Sequence, residues 1–356
     1  MGKKELELLC VGNAIVDVFA RDENGAADRY GLCEPVQHVE IDKLKNLLSE
    51  LGVTNEVCET TVVSGGGAAN AAKIAGLLGA KAGFTGAIGD DNYGRLFEED
   101  LKSTGVKTRL VAKPSPTGIC LVLQTGDGTR IAASPSASLE LSENDIHEEE
   151  IKKVKIVVID GFMLGRRGLV GRLLALADKH GAAAAIDLGS AAIAAEEAVE
   201  IAAYITLHDI SPDAALHIKQ HPIFLFMNED EAVSFCSALN RPASAFEQTQ
   251  EFFKSLCEEK PSLVIVVKLG RRGALCFAGG DTFHAGTEAV TPMEVTGAGD
   301  AFCGAFLTAW VRGKSPVECT ALGNKAARIV LGSLGTKVDK NAFKELAALL
   351  EGSPDV

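Results

Sequence analysis

The feature that most restricts the fold is a regular alternation of apolar, β-prone segments with helical patterns in the second half of the chain. Apolar strands are predicted at 156–160, 183–187 and 223–227, and helical periodicity separates them at about 167–179 and 191–203. Such alternation is typical of parallel βαβ units, whose sheet is covered by helices. The sequence therefore predicts an α/β protein with a mainly parallel sheet.

The composition agrees with a large buried sheet and argues against two kinds of partner. Of the 356 residues, 47% are hydrophobic and only 5% are aromatic, which suits helices packed closely on a sheet. The formal net charge of −13 disfavours nucleic acid and anionic membranes as partners, because both require clustered Lys and Arg. The scattered cysteines form no C-x-x-C pair and the first residues contain no sustained apolar segment, so we expect reduced thiols and a cytoplasmic protein.

Two glycine-rich stretches precede helical patterns. Gly297–Gly299 leaves backbone N–H groups uncovered at a helix start, where a phosphate oxygen can approach closely. Asp300 follows in the first turn and could accept a proton from an alcohol that attacks this phosphate; a simple helix cap is the alternative. In the second stretch, Gly65–Gly67 and Asn70 indicate either a bound ligand or close packing of the helix on the sheet.

Polar residues also follow predicted strands. Asp17 comes after the first strand, where either a ligand contact or a turn would explain it. Asn228–Glu231 follow the strand at 223–227, which is where α/β sheets bind ligands, although acids also favour helix starts. Short β-prone segments at 109–111, 118–124 and 130–133 are separated by Pro and Gly, a pattern that predicts a small antiparallel sheet forming a lid.

Three separated motifs together resemble the ribokinase-like (PfkB-type) family of carbohydrate and nucleoside kinases. They are Val63–Asn70 with its continuation to Gly94, then Asn228–Glu231, then Val295–Phe302, and their order and spacing match the family signatures over nearly the whole chain. The resemblance implies a three-layer α/β/α core with a mainly parallel central sheet and a small β-sheet lid. We expect the core at 1–16, 50–108 and 135–356, and a discontinuous lid at 17–49 and 109–134.

The resemblance also implies a role for individual residues in phosphoryl transfer from ATP assisted by Mg²⁺. Asp300 would be the base, and the anion hole would be Gly297, Ala298 and Gly299. The implied acceptor-binding residues are Asn13, Asp17, Gln37, Gly65, Gly66, Asn70 and Arg130. The implied nucleotide-binding residues are Asn228, Glu231, Lys268, Gly270, Gly273, Asn324 and Gly335, and Asn228 and Glu231 would hold Mg²⁺ through water.

The sequence restricts the acceptor less closely. Gly12–Asp17, Tyr30–Leu32 and Gln37 resemble the adenosine kinase branch, whereas Gly67–Ala69 is shared with sugar kinases. The acceptor motifs contain no cluster of Lys and Arg, so we expect an unphosphorylated sugar or a ribonucleoside. A non-catalytic nucleotide- or sugar-binding regulator with the same fold is the alternative, and Asp300 favours the kinase. A dinucleotide oxidoreductase is disfavoured because no G-x-G-x-x-G follows the first strand.

Two further expectations come from the resemblance. Glu294 and Val295 stand where relatives usually carry Asp and Thr beside a loop that binds a monovalent cation, so dependence on K⁺ is left open. The lid sheet of relatives is sometimes covered by a second subunit, and we therefore expect a monomer or a homodimer.

Overall fold

The computed structural model describes residues 4–22, 24–33, 36–53, 62–126, 128–208, 221–292, 295–333 and 339–351. The strands are β1 Leu6–Val11, β2 Ile15–Arg21, β3 Val36–His38, β4 Val62–Gly65, β5 Ala82–Gly89, β6 Lys107–Lys113, β7 Gly118–Thr125, β8 Gly128–Ser134, β9 Val154–Asp160, β10 Ala183–Asp187, β11 Ile223–Asn228, β12 Leu263–Lys268, β13 Ala274–Ala278 and β14 Asp281–Ala285. The helices are α1 Ala26–Arg29, α2 Ile41–Glu50, α3 Gly67–Leu77, α4 Asn92–Ser103, α5 Glu148–Ile151, α6 Arg167–His180, α7 Ala191–Glu196, α8 Ala198–His208, α9 Glu229–Ala238, α10 Phe246–Glu259, α11 Ala298–Val311, α12 Pro316–Leu331 and α13 Lys340–Glu351.

Nine of these strands form one large sheet in the order β14-β13-β12-β11-β10-β9-β1-β5-β6. The strands from β12 to β6 pair in parallel, and β13 and β14 add an antiparallel edge. The predicted α/β class with a mainly parallel sheet is therefore confirmed. The helix expected over 191–203 is interrupted at Glu197, which lies between α7 and α8 and has non-helical backbone angles.

Helices cover both faces of the large sheet because its strands are apolar on both sides. Along β1, Leu8 and Cys10 pack in one core with residues of α3, α11 and α12, whereas Leu9 and Val11 pack in a second core with residues of α6, α9 and α10. Alternate residues of a strand point to opposite faces, so a continuous apolar run builds two layers of helices. None of the helices in the described ranges is long and apolar enough to cross a membrane.

A second sheet has the strand order β3-β8-β7-β2-β4. The expectation of an antiparallel sheet is only half right, because β7–β8 and β2–β4 are antiparallel while β3–β8 and β2–β7 are parallel. Both parallel pairs join strands from distant parts of the chain, where no short hairpin forces an antiparallel direction.

The sheets divide the chain differently from the expected boundaries in two places. Strand β6, whose residues from 109 onward were assigned to the lid, pairs in parallel with β5 in the large sheet. A chain that returns through a helix such as α4 re-enters the sheet in the same direction, which explains this pairing. Strand β4, assigned to the core, pairs with β2 in the small sheet. We retain the division into core and lid as a proposal, with these two strands exchanged.

Candidate active site

Four neighbouring strands of the large sheet end in polar side chains at one edge. Asp160 ends β9, Asp187 ends β10, Asn228 ends β11 and Lys268 ends β12. The strand register places Asp160 beside Asp187 and Asn228 beside Lys268. Because ligands of open α/β sheets bind beyond the carboxyl ends of the strands, this edge is the natural candidate site.

A cavity of about 330 Å³ opens at this edge, between the start of α11 and the small sheet. Its volume is in the range of sites for small molecules. Five residues predicted to act on the acceptor line it: Asn13, Asp17, Gly66, Asn70 and Asp300. The small sheet and the segment after it contribute mostly apolar lining, from Ile15, Cys120, Ile131, Ala133 and Pro135.

Asp300 lies in the first turn of α11 and reaches the cavity. Its Oδ2 accepts a hydrogen bond of 2.9 Å from Nδ2 of Asn70. Burial raises the pKa of Asp300 and the charge of Asp187 raises it further, while the bond from Asn70 lowers it. A carboxylate with a raised pKa is a stronger base, and one that is held by a neighbouring amide has a fixed direction.

The start of α11 is open, as the glycines of the motif predict. Gly297 has φ of +80°, a conformation that favours glycine, and as the N-cap residue it provides no side-chain hydrogen bond to the start of the helix. A side chain at Gly299 would place its Cβ 3.1 Å from the Nζ of Lys268. An ammonium group and the positive end of a helix therefore face the same space, which is suited to an anion.

Lys268 is held in this position by Asp187. Its Nζ lies 2.9 and 3.0 Å from the two carboxylate oxygens. Burial acts to lower the pKa of Lys268, but the charges of Asp187 and Glu231 outweigh burial and raise it. Lys268 is therefore a fixed cation beside the start of α11, and its implied contact with the nucleotide stays a prediction.

Gly65 and Gly66 allow the chain to pass closely over Asp17 and Asn13, two of the predicted acceptor residues. A Cβ at Gly65 would overlap the carboxyl group of Asp17, and a Cβ at Gly66 would overlap the main-chain oxygen of Asn13. Gly66 also has φ of +92°, which a side chain would disfavour. The glycines act by leaving room for Asp17 and Asn13, so their contribution to the site is steric.

Asn228 and Glu231 form a reciprocal cap at the start of α9. Oδ1 of Asn228 accepts from the backbone N–H of Glu231 at 2.9 Å, and Oε2 of Glu231 accepts from the backbone N–H of Asn228 at 2.8 Å. The second oxygen of Glu231 accepts from Nδ2 of Asn228 at 2.8 Å. Every side-chain oxygen of the pair is thus already a hydrogen-bond acceptor, an arrangement that suits contact with a hydrated metal ion better than direct coordination.

Two other predicted nucleotide residues, Asn324 and Gly273, contact the end of β14. Nδ2 of Asn324 donates to the main-chain oxygen of Ala285 at 2.8 Å, and a Cβ at Gly273 would overlap that same oxygen. Gly270 has φ of +55° and open space around it. Asn324 and Gly273 therefore pack against the main chain at the end of β14. Gly335 lies outside the described residues.

Three predicted acceptor residues do not line the cavity: Gly65, whose steric role is described above, and Arg130 and Gln37. The guanidinium of Arg130 donates to Oδ1 of Asp28 at 2.7 Å and to the main-chain oxygen of Leu32 at 2.6 Å, within the lid. Gln37 lies on β3, where its Oε1 is buried without a hydrogen-bond partner in the described structure, and its neighbour His38 lines the cavity. A long side chain takes its partners from tertiary packing, which the motif could not reveal.

Sequence reasoning missed two carboxylates of the site, Asp160 and Asp187. Both line the cavity, and burial raises the pKa of Asp160 to about 6. Oδ2 of Asp160 is buried without a partner among the described residues, 3.5 Å from the position of a Cβ on Gly67. Each residue ends an apolar strand, the same signal that identified Asn228. Phe162 also lines the cavity and is 51% exposed.

Comparison with known proteins places this geometry in a family. The family model described as pfkB family carbohydrate kinase matches residues 30–342. The chain belongs to the pfkB family of carbohydrate kinases. The predicted family and the predicted phosphotransfer to an alcohol group are confirmed by this match and by the relatives.

Relatives of two kinds are similar to this pfkB family member. An adenosine kinase of Schizophyllum commune is 25% identical over 348 residues, covering 92% of this chain and 96% of the relative. A 5-dehydro-2-deoxygluconokinase of Bacillus licheniformis is 27% identical over 303 residues, covering 80% of this chain and 86% of the relative.

Two solved structures confirm the ribokinase-like α/β fold. The adenosine kinase of Sinorhizobium meliloti superposes with a TM-score of 0.79 at 23% identity and covers 97% of this chain and 99% of its own. A probable sugar kinase of Rhizobium etli superposes with a TM-score of 0.80 at 22% identity, with coverage of 98% and 99%. At these identities the structures show the fold alone.

Proposed function

We propose that this pfkB family member transfers the γ-phosphoryl group of Mg-ATP to a hydroxyl group of an unphosphorylated ribonucleoside or sugar. The observation that carries the proposal is the position of Asp300. Its carboxylate lies at once in the proposed acceptor cavity and in the first turn of a helix whose N-cap residue is glycine. A base is therefore adjacent to an anion hole, which is what phosphoryl transfer to an alcohol requires.

In the proposed step Asp300 accepts the proton of the acceptor hydroxyl. The hydroxyl oxygen forms a bond to the γ-phosphorus, and the bond between this phosphorus and the bridging oxygen breaks to release ADP. Asn70 keeps the carboxylate of Asp300 directed into the cavity. The start of α11 and the ammonium of Lys268 offset the charge of the transferred group, because preorganised donors and cations stabilise charge without rearrangement.

The charges of the cavity support a neutral acceptor. Asp17, Asp160 and Asp300 all line it, and ionised carboxylates accept hydrogen bonds from hydroxyl groups. They also repel an anionic acceptor such as a sugar phosphate or a sugar acid. The apolar lining from the small sheet suits a planar base, so we favour a ribonucleoside over a free sugar.

Asn228 and Glu231 are the residues of this chain that would hold a hydrated Mg²⁺ near the phosphates. No group of three His, Cys, Asp or Glu side chains is placed to hold a metal in the part of the chain that the structure describes. When bound, Mg²⁺ neutralises phosphate charge and orients the phosphates. Dependence on K⁺, cytoplasmic location and the choice between monomer and homodimer remain predictions.

The experiment that tests this proposal is acceptor-dependent release of ADP from Mg-ATP. The acceptors are adenosine, other ribonucleosides, ribose, fructose and 5-dehydro-2-deoxygluconate, each assayed with the wild type and Asp300→Asn. We expect strong turnover with a neutral acceptor and its loss in the variant. Turnover with 5-dehydro-2-deoxygluconate and with no neutral acceptor would contradict the argument that the carboxylates of the cavity repel an anionic acceptor. Measurable ATP binding without turnover of any acceptor would instead favour the non-catalytic regulator.

A further inference from the structure

Asn13, at the end of the first core strand, has its side-chain amide fixed by an arginine from a distant part of the chain. Asn13 lines the cavity and is only 6% exposed. Its Oδ1 accepts a hydrogen bond of 2.8 Å from Nη2 of Arg166. The two residues are separated by 153 positions in sequence, and no sequence motif suggested that they meet.

The chemistry of the two side chains determines which way the amide points. A guanidinium group only donates hydrogen bonds, so the atom of Asn13 that faces Arg166 has to be the oxygen. The amide nitrogen is then directed away from Arg166. Within the described residues Nδ2 of Asn13 has no hydrogen-bond partner, and it is not among the polar atoms that are fully removed from solvent. Because Asn13 lines the cavity, this solvent-accessible nitrogen is placed to donate to a ligand there.

Arg166 is itself held from a second side. Its Nη1 donates to the main-chain oxygen of Ser138 at 2.6 Å, and Ser138 is only 1% exposed. Arg166 also immediately precedes α6, which limits the movement of its backbone. A planar guanidinium that is bound at two of its nitrogens has little freedom to rotate, so the orientation of the Asn13 amide is fixed before a ligand arrives.

We propose that Arg166 is a positioning residue that sets acceptor specificity by making Asn13 present a hydrogen-bond donor to the cavity. The inference rests on the proposed function and adds one property of the acceptor. The molecule that is phosphorylated carries an atom that accepts a hydrogen bond, such as a ring nitrogen or an oxygen, opposite Asn13. The carboxylates of Asp17 and Asp160 line the same cavity and accept hydrogen bonds, so they suit hydroxyl or N–H groups of the bound molecule. The site thus reads a mixed pattern of donors and acceptors, which a ribonucleoside offers at its base and its ribose.

The test is a double-mutant cycle with Arg166→Met, Asn13→Ala and the combined variant. Steady-state constants are measured with Mg-ATP and whichever compound of the panel above has the highest kcat/KM. Arg167→Met is the matched control, since Arg167 is the next residue, its side chain is 66% exposed and it pairs with Glu200 at the surface. Arg166→Lys, which keeps one donor, serves as a second variant if Arg166→Met folds poorly.

We expect Arg166→Met to raise the acceptor KM about tenfold, the value of one uncharged hydrogen bond, while kcat and the KM for ATP change less than twofold. In the Asn13→Ala background the same substitution is expected to change the acceptor KM less than twofold, because the group that Arg166 positions is gone. Arg166→Lys is expected to recover part of the loss. Equal effects of Arg166→Met with and without Asn13 would overturn the proposal.

A crystal structure of the free protein separates this inference from the proposed function. A hydrogen bond between Arg166 and the side chain of Asn13 supports the positioning role, and a guanidinium turned away from Asn13 overturns it, whatever the enzyme phosphorylates. Absence of turnover with every panel compound would count against the proposed function. Turnover by the wild type with an unchanged acceptor KM in Arg166→Met would count against Arg166 alone.

Discussion

A single added methyl group at Gly65 tests whether the glycines of the N-terminal motif serve the acceptor site. Gly65 has ordinary strand geometry, so alanine fits its backbone without strain. The obstacle is the side chain of Asp17, whose three carboxyl-group atoms a Cβ at Gly65 would overlap. To regain van der Waals contact the carboxylate has to move by about 1 Å. Asp17 is only 4% exposed and is short, so it cannot move without leaving its position in the cavity.

The size of the effect follows from what Asp17 does in the proposed complex. A hydrogen bond between a substrate hydroxyl and an ionised carboxylate contributes about 1.5–3 kcal/mol, which corresponds to about 10- to 100-fold in affinity. Gly65→Ala is therefore expected to raise the acceptor KM by about this factor. The KM for ATP is expected to stay within about twofold, because the added methyl group lies on the acceptor side. Overpacking is expected to lower the melting temperature by a few degrees.

The assay is steady-state ADP release with acceptor and ATP varied separately, accompanied by thermal unfolding. Gly171→Ala is the matched control, because a Cβ at Gly171 on the exposed side of α6 meets nothing within 4 Å. This control is expected to leave both KM values unchanged and to stabilise the helix slightly. An unchanged acceptor KM in Gly65→Ala, or an equal rise of the KM for ATP, would refute the steric argument.

Two further predictions concern Asp160, which sequence reasoning missed, and Lys268. Burial raises the pKa of Asp160 to about 6. Between about pH 4 and 6 the folded protein therefore binds a proton on Asp160 that the unfolded chain has released. The free energy of unfolding that this proton contributes is lost as the pH rises through 6. The side chain of Asp160→Asn cannot ionise, so the free energy of unfolding of this variant is expected to exceed that of the wild type by about 2–3 kcal/mol at pH 7.5 but not at pH 4. The variant is also expected to lose about tenfold in kcat/KM for the acceptor. Calorimetry at both pH values checks the first effect, and equal stability differences at the two pH values would contradict it. Lys268→Met is expected to lower kcat/KM for ATP at least tenfold with the acceptor KM unchanged, because the cation beside Gly299 is removed. Exposed Lys254→Met is its control, and an ATP kcat/KM equal to that of the wild type would exclude Lys268 from phosphate binding.

The parts of the fold that depend on local pattern could be predicted from the sequence. The alternation from 156 onward produced the strands β9, β10 and β11 and the helices between them. Strand β6 was assigned to the wrong sheet because its pairing with β5 depends on tertiary contacts, not on its own residues. The interruption at Glu197 escaped notice because the apolar pattern continues through it.

The candidate site shows the same division between local and tertiary information. Asp300 and Gly297 could be found because glycine at a helix start followed by aspartate has a direct chemical meaning. Arg130 could not be placed, since its partners Asp28 and Leu32 are brought to it by the lid fold. The bond between Arg166 and Asn13 joins residues far apart in the chain and leaves no periodic trace. Polar residues that end buried strands, such as Asp187, were the one signal that could have been used more fully.

The most direct measurement of the central claim is the turnover of Asp300→Asn under saturating Mg-ATP and acceptor. Asparagine has the same shape and its oxygen can still accept the bond from Asn70, so the fold is expected to be retained. Asp42→Asn is the matched control, an exposed aspartate in the first turn of α2. If Asp300 is the base, kcat falls by roughly 10² to 10⁴ while both KM values stay within about threefold and the control is unchanged. Turnover equal to that of the wild type would contradict the assignment of Asp300 as the base.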